Sequence, residues 1–206
     1  RYPGYHEIAY LHPDNFTPDP GVLDDLGLKK DDKFYLLRFV SWDASHDVGE
    51  SGLSYENKLR IAKKLEETGR VFITSEAPLP AEFEKYRIKV DVDRIHSLMA
   101  YCSIYVGESA TMASECAVLG VPAIYISKTG RCYTTEQEEK YDMVFNYTNS
   151  EQDEAYAKLL SLLAVSDNLR QVWAEKQAQL LADKINVTDW MVDFVENYVK
   201  KQAYLV

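Results

Sequence analysis

Apolar residues run almost without a break from Phe34 to Val40, as a strand covered on both faces requires. From Ser54 to Glu67 the pattern changes period. Tyr55, Leu59, Ala62 and Leu65 recur at helical spacing, Ser54 is a suitable N-cap and Gly69 a stop. Val71 to Thr74 predicts a second strand and Ile88 to Val90 a weaker third. A helix over 93–101 leads to a strand at 104–106, and a further helix closes at Leu119-Gly120. Strands at 123–126 and 143–145 follow. Strands alternating with helical stretches imply βαβ units. The expected fold is therefore α/β, a Rossmann-like parallel sheet of about six strands flanked by helices.

Beyond Ser150 the period is helical throughout. One stripe holds Tyr156, Leu159, Leu160 and Leu163, and a second Leu169, Val172, Trp173, Leu180 and Leu181. The last, with Thr188 as its predicted cap, holds Met191, Phe194, Val195, Tyr198 and Val199. Residues 1–32 carry Pro3, Pro13, Pro18 and Pro20 and read as an irregular connecting segment with one short helix near 20–27. The division is thus 1–32, a Rossmann-like domain over 33–165, and C-terminal helices over 166–206 that pack on this domain or on a missing partner half.

The chain has 206 residues, 33 acidic against 23 basic, for a formal charge of −10. That balance argues against a nucleic-acid groove, though a helix terminus still offers N–H donors to a small anion. No apolar run reaches the roughly 18–20 residues of a membrane span. Three widely spaced cysteines, Cys102, Cys116 and Cys132, suggest a reducing, cytoplasmic setting. No Cys/His spacing suggests zinc, and no P-loop, nucleophile elbow or GxGxxG motif is present.

Candidate chemistry gathers in three loops at one predicted sheet edge. In the first, 107–111, Ser109 and Thr111 can donate hydroxyls beside the free N–H groups of a first helical turn, including that of Ala110. Glu115 lies about 6 Å further along the axis, at the depth of a ribose attached to a bound diphosphate. A capped helix with a dipole-favoured acid explains the same residues. Glu108 would repel a diphosphate, so its side chain is expected to turn aside, toward the sugar or a basic group. The second loop, 38–50, offers Arg38 for phosphate and Gly49 for close backbone approach. It also offers His46 as phosphate donor or acid–base group, with Asp47 fixing its tautomer. Arg38 paired with an acid and His46 in a turn are the plain alternatives. The third, 128–140, presents Arg131, Thr135, Glu136 and Gln137 to a sugar, or to solvent alone.

GESATMASECAVLGVPAIYIS, late in the predicted sheet, resembles the C-terminal half of GT-B proteins, among them UDP-GlcNAc 2-epimerases and the peptidoglycan GlcNAc transferase. RFVSWDASHD, EEKYDMVFNY and DKINVTDW extend the likeness to an uncharacterised prokaryotic family of glycosyltransferase-like proteins, from about Gly4 to Tyr198. The resemblance implies that Ser109, Ala110 and Thr111 bind diphosphate and Glu115 the ribose. The base would lie near Asp93 to His96, against Ile95 and His96, while Arg38 and His46 face phosphates or sugar. It implies a UDP-sugar or other NDP-sugar as substrate, no required cofactor or metal, and a partner Rossmann-like half. The acceptor of such a transferase can be membrane-associated. The paired glycine usual after the serine of the epimerases is replaced by Ala110 and Thr111, and their His-Arg-Arg-Glu-Asn string is absent. The implied function is the donor half of a glycosyltransferase, inactive as an isolated half. The alternatives are a 2-epimerase and a non-catalytic GT-B-like binding domain.

Overall fold

The computed structural model describes residues 2–40 and 52–203. Five parallel strands form one sheet: β1 (Phe34–Phe39), β2 (Arg70–Ser75), β3 (Ile104–Gly107), β4 (Ala123–Ile126) and β5 (Val144–Tyr147). Their order is β2-β1-β3-β4-β5, so the chain reverses direction across the sheet between β1 and β3. Open α/β sheets hold ligands at such a switch point, outside the carboxyl ends of the strands. The strands are short and apolar because both faces are covered. Tyr35, Leu36, Leu37, Ile104, Tyr105 and Val106 are all buried.

The helices are α1 (Ile8–Leu11), α2 (Gly21–Asp25), α3 (Tyr55–Glu66), α4 (Ile95–Tyr101), α5 (Ala110–Val118), α6 (Cys132–Glu139), α7 (Gln152–Ala164), α8 (Leu169–Asp183) and α9 (Val187–Ala203). Ser54 caps α3 by accepting from the Asn57 N–H at 3.2 Å. Helix α3 joins α7 through Arg60, which lies 3.7 Å from the Tyr156 ring centre. Helix α5 packs against α4, α6 and α8. It ends in a Schellman motif: Gly120 takes φ 75°, and the Val121 N–H reaches back to the Cys116 carbonyl at 2.8 Å.

Several sequence expectations change. Ile88 to Val90 forms no strand. A 3₁₀ segment, Ala81–Tyr86, delivers the chain to the sheet edge for a single bridge, Ile73 to Arg87, and exposed Lys89 gives no second apolar contact to extend it. The sheet therefore has five described strands rather than six. Tyr55 is exposed and meets the Phe83 ring edge-on, leaving Ile61, Ala62 and Leu65 as the buried residues of α3. In α7 the buried residues are Ala155, Leu159 and Leu162, while Leu160 is exposed. In α8, Val172 likewise faces out. The 1–32 segment holds two short helices, and Tyr5, Ile8, Leu11, Val22 and Leu23 join the main core. Asn186, not Thr188, caps α9, its side-chain oxygen accepting from the Thr188 N–H at 3.1 Å. Beyond Met191 the apolar face of α9 has no cover among the described residues: Phe194, Val195 and Tyr198 are 55%, 59% and 58% exposed. Val199 lies outside the described side chains. No helix of the described residues is long and apolar enough to cross a membrane.

Candidate functional site

The 107–111 loop lies at the switch point. Arg38 of β1 pairs with Gly107 of β3, and the Glu108 N–H donates to the Arg38 carbonyl at 3.1 Å. A side chain at 107 is excluded, since a Cβ there would sit 2.5 Å from Tyr105 Oη and 2.8 Å from Arg38 Cβ. Tyr105, fully enclosed, donates its hydroxyl to the Ser109 carbonyl at 3.2 Å and so shapes the turn from below. Ser109 is the N-cap of α5. Its Oγ accepts from the Met112 N–H at 3.3 Å and its carbonyl from the Ala113 N–H at 3.1 Å. The N–H groups of Ala110 and Thr111 have no bonded partner among the described residues. A positive helix end with two open donors remains, with Thr111 exposed beside it.

Glu108 turns away from that end. Its carboxylate accepts from the Val40 N–H at 2.8 Å and the Leu53 N–H at 2.7 Å, and Lys58 Nζ lies 3.1 Å away. The basic partner anticipated from sequence is thus Lys58, and the carboxylate is turned to it and to the two backbone donors.

Glu115 is buried and already engaged. Tyr10 Oη donates to Oε1 at 2.9 Å, and His96 Nε2 lies 3.0 Å from the same oxygen. The His96 ring, partly exposed, lies against Tyr10 and Phe16, at centroid distances of 5.5 and 6.2 Å. Glu7, on the turn before α1, is buried beside this group. Burial raises its pKa and the Glu115 charge adds to the rise, while the backbone and the Ser114 hydroxyl oppose it. Burial, then the Glu115 carboxylate, pushes the Tyr10 phenol well above its ordinary range, so Tyr10 remains a donor at all ordinary pH values. His96 and Glu115, chosen from sequence for base and ribose, are therefore brought together. Ile95, half-buried, begins α4 next to them, and Arg94 anchors this corner to Asp19 at 2.7 Å.

The other candidates have different roles. Arg38 does not project toward the helix end. It donates to Thr74 Oγ1 at 3.0 Å and pairs with Glu76, which keeps it beside β2. Glu136 pairs with Lys184 at 2.7 Å, and that bond holds its carboxyl below the usual range. Gln137 is fully buried and donates to Ser114 Oγ at 2.8 Å, joining α6 to α5 instead of facing a sugar. Their helical setting explains this: residues expected in a polar loop fall on α6, whose inner face meets α5. His46, Asp47 and Gly49 lie outside the described residues. Tyr10, Glu7 and Lys58 were not candidates from sequence. Their partners lie far away along the chain, and no local pattern in the sequence signals them. Among the described residues no group of three or more His, Cys, Asp or Glu side chains is arranged for a metal ion.

No family profile and no curated protein matches the sequence. Solved structures do match in fold. A Listeria monocytogenes protein assigned as a UDP-N-acetylglucosamine 2-epimerase covers 96% of this chain and 53% of its own, with TM-score 0.57 and 13% identity. The UDP-GlcNAc 2-epimerase of Neisseria meningitidis, solved with UDP-GlcNAc bound, covers 87% and 47%, with TM-score 0.54 and 16% identity. The spinosyn forosaminyltransferase SpnP covers 90% and 49%, with TM-score 0.54 and 17% identity. The chain thus spans about half the length of these proteins. Its fold is that of a Rossmann-like half of a GT-B protein, shared by glycosyltransferases and UDP-GlcNAc 2-epimerases.

Proposed function

We propose that this chain is the nucleotide-sugar-binding half of a GT-B glycosyltransferase-like protein. A UDP-type donor places its diphosphate on the Ser109–Thr111 turn and its ribose at Glu115. One observation carries the reading: the Ala110 and Thr111 N–H groups, without a partner among the described residues, lie at the switch point on the same helix as a buried carboxylate. The helix end and its amides stabilise the leaving diphosphate without a cation. Ile95 and His96 border the base. The residue that activates the acceptor belongs to a partner Rossmann-like half, and the exposed face of α9 supports a strap onto that half.

Calorimetry with UDP tests the reading. Glu115→Gln keeps the side chain's shape and removes its charge. It is expected to weaken UDP binding by about 1–3 kcal/mol, or roughly 5- to 150-fold, the worth of a hydrogen bond to a charged group. Unchanged affinity in a folded variant refutes the ribose role. Alanine is the poorer choice, because Tyr10 and His96 would both lose their acceptor. A 2-epimerase is the second reading, favoured by the match of 96% of the chain to the Listeria protein. Release of ManNAc or UDP-ManNAc from UDP-GlcNAc by the full-length protein would select it.

A further inference from the structure

Strand β2 lies at the edge of the sheet, and the amino-terminal half of its outer side is unpaired. Its backbone alternates in direction. The Arg70 and Glu76 N–H groups donate inward, to the Lys33 and Phe39 carbonyls at 3.0 and 3.4 Å, so even positions face β1. Odd positions face out, and there the Ile88 N–H reaches the Ile73 carbonyl at 3.0 Å. That bridge is the whole of the outer pairing among the described residues. The chain arrives there through the 3₁₀ segment Ala81–Tyr86, so no strand lies beside Val71. The Val71 N–H and carbonyl have no bonded partner among the described residues.

A cleft of about 520 Å³ opens over this stretch, at the amino end of β2 and away from the carboxyl edge that carries the 107–111 loop. Its acids are already matched. Glu66 is held by Lys85 Nζ at 2.6 Å and by the Tyr86 hydroxyl at 2.7 Å, and Asp25 pairs with Arg94. Arg87 is taken by Glu84 at 2.8 Å. Arg70 and Lys89 are left with no carboxylate partner among the described residues. Arg70 uses only Nη1, on the Leu26 and Gly27 carbonyls, and lies over the Phe72 ring at 5.0 Å. Lys89 is exposed. In a chain of net charge −10, two unmatched cations beside an open strand edge are a local exception.

We propose that this cleft docks an acidic segment of a partner protein, held extended and added to the sheet beside Val71. A peptide carries both groups that Val71 needs, a carbonyl for its N–H and an N–H for its carbonyl. A phosphodiester backbone offers acceptors alone and leaves the Val71 carbonyl unanswered. Side chains alternate along a strand, so the residues flanking the one opposite Val71 share the face of Arg70 and Phe72. A carboxylate there meets the Arg70 donors that Leu26 and Gly27 leave open, and Lys89 adds a second cation. The bridge at Ile73 stops the added strand from running further along β2, so the contact is short. This docking does not depend on the nucleotide-sugar reading.

The test uses the 206-residue chain and a labelled, end-blocked peptide of alternating Asp and Val, read by fluorescence anisotropy. Binding with Kd below about 1 mM is expected, at least about tenfold tighter than that of an alternating Lys and Val peptide. An N-methylated copy of the acidic peptide keeps every charge and loses its amide donors, so it should bind at least about fivefold more weakly. Lys89→Glu changes an exposed residue outside every helix and strand, and should weaken the acidic peptide about three- to tenfold. Failure of the acidic peptide to bind, or equal binding of the Lys peptide, overturns the proposal. An N-methylated copy that binds as well as its parent shows attraction by charge alone and overturns the strand addition. Unchanged affinity in Lys89→Glu places the peptide elsewhere and overturns the site. Dimerisation in sedimentation velocity that Lys89→Glu abolishes would give the cleft to a second copy of this chain and overturn it as well.

Discussion

Replacing Glu108 by alanine should unfold the chain far more readily than its loop position suggests. The side chain is fully enclosed and accepts from two backbone N–H groups, of Val40 and Leu53, at 2.8 and 2.7 Å. Lys58, 18% exposed along its side chain, completes the set at 3.1 Å. Each hydrogen bond to an ionised acceptor is worth about 1.5–3 kcal/mol, and removing one partner of a buried ion pair costs about 3–5 kcal/mol. The losses overlap, so the working figure is about 3–5 kcal/mol in all. For a chain of 206 residues that lowers Tm by about 6–20 °C. Glu108→Gln should recover little, because its amide turns one acceptor into a donor facing an N–H. Lys58→Met should cost less than Glu108→Ala, since the carboxylate keeps both backbone donors. Urea unfolding followed by far-UV circular dichroism reads all three. A loss below about 1 kcal/mol for Glu108→Ala would show that the carboxylate does not hold these two backbone segments.

Gly107→Ala should cost about 1–3 kcal/mol by overpacking, because the new methyl would meet Tyr105 Oη and Arg38 Cβ; urea unfolding at a level within about 0.5 kcal/mol of the parent would contradict the packing. Glu7, its pKa raised chiefly by burial, contributes stability that is complete below the ordinary carboxylate range and lost as pH rises through its raised value. Glu7→Gln should therefore gain on the parent as pH rises from about 4 to about 7, and parallel stability curves would rule the burial effect out.

The parts of the fold that sequence reveals are those decided within one turn or one strand. Phe34 to Phe39 is apolar on both sides of the pleat, and that alone marks a covered strand. Ser54 and Ser109 announce helix starts through a hydroxyl that reaches three residues ahead, and Leu119-Gly120-Val121 announces an end. Ile88 to Val90 has strand-like residues but lacks a neighbour to pair with beyond one bridge, which no local pattern records. The stripes of α7 and α8 were displaced for a related reason. Several faces of each helix carry leucine or valine, and packing chooses among them. At the candidate site, the helix end and its acid were visible because they share one segment. Tyr10 lies 105 positions from Glu115, and Lys58 approaches Glu108 from another helix. Such pairings follow from the topology of the sheet. Arg38 shows the reverse: its place in a strand was evident, but the acceptors beside it on β2 decide where its guanidinium goes.

Because one carboxylate ties Val40 to Leu53, the two ends of the intervening span are joined independently of what the span contains. The Glu108 side chain therefore fixes where the chain leaves β1 and where it stands just ahead of α3, and Tyr105 and Ser109 fix the Gly107–Thr111 turn from which that side chain reaches.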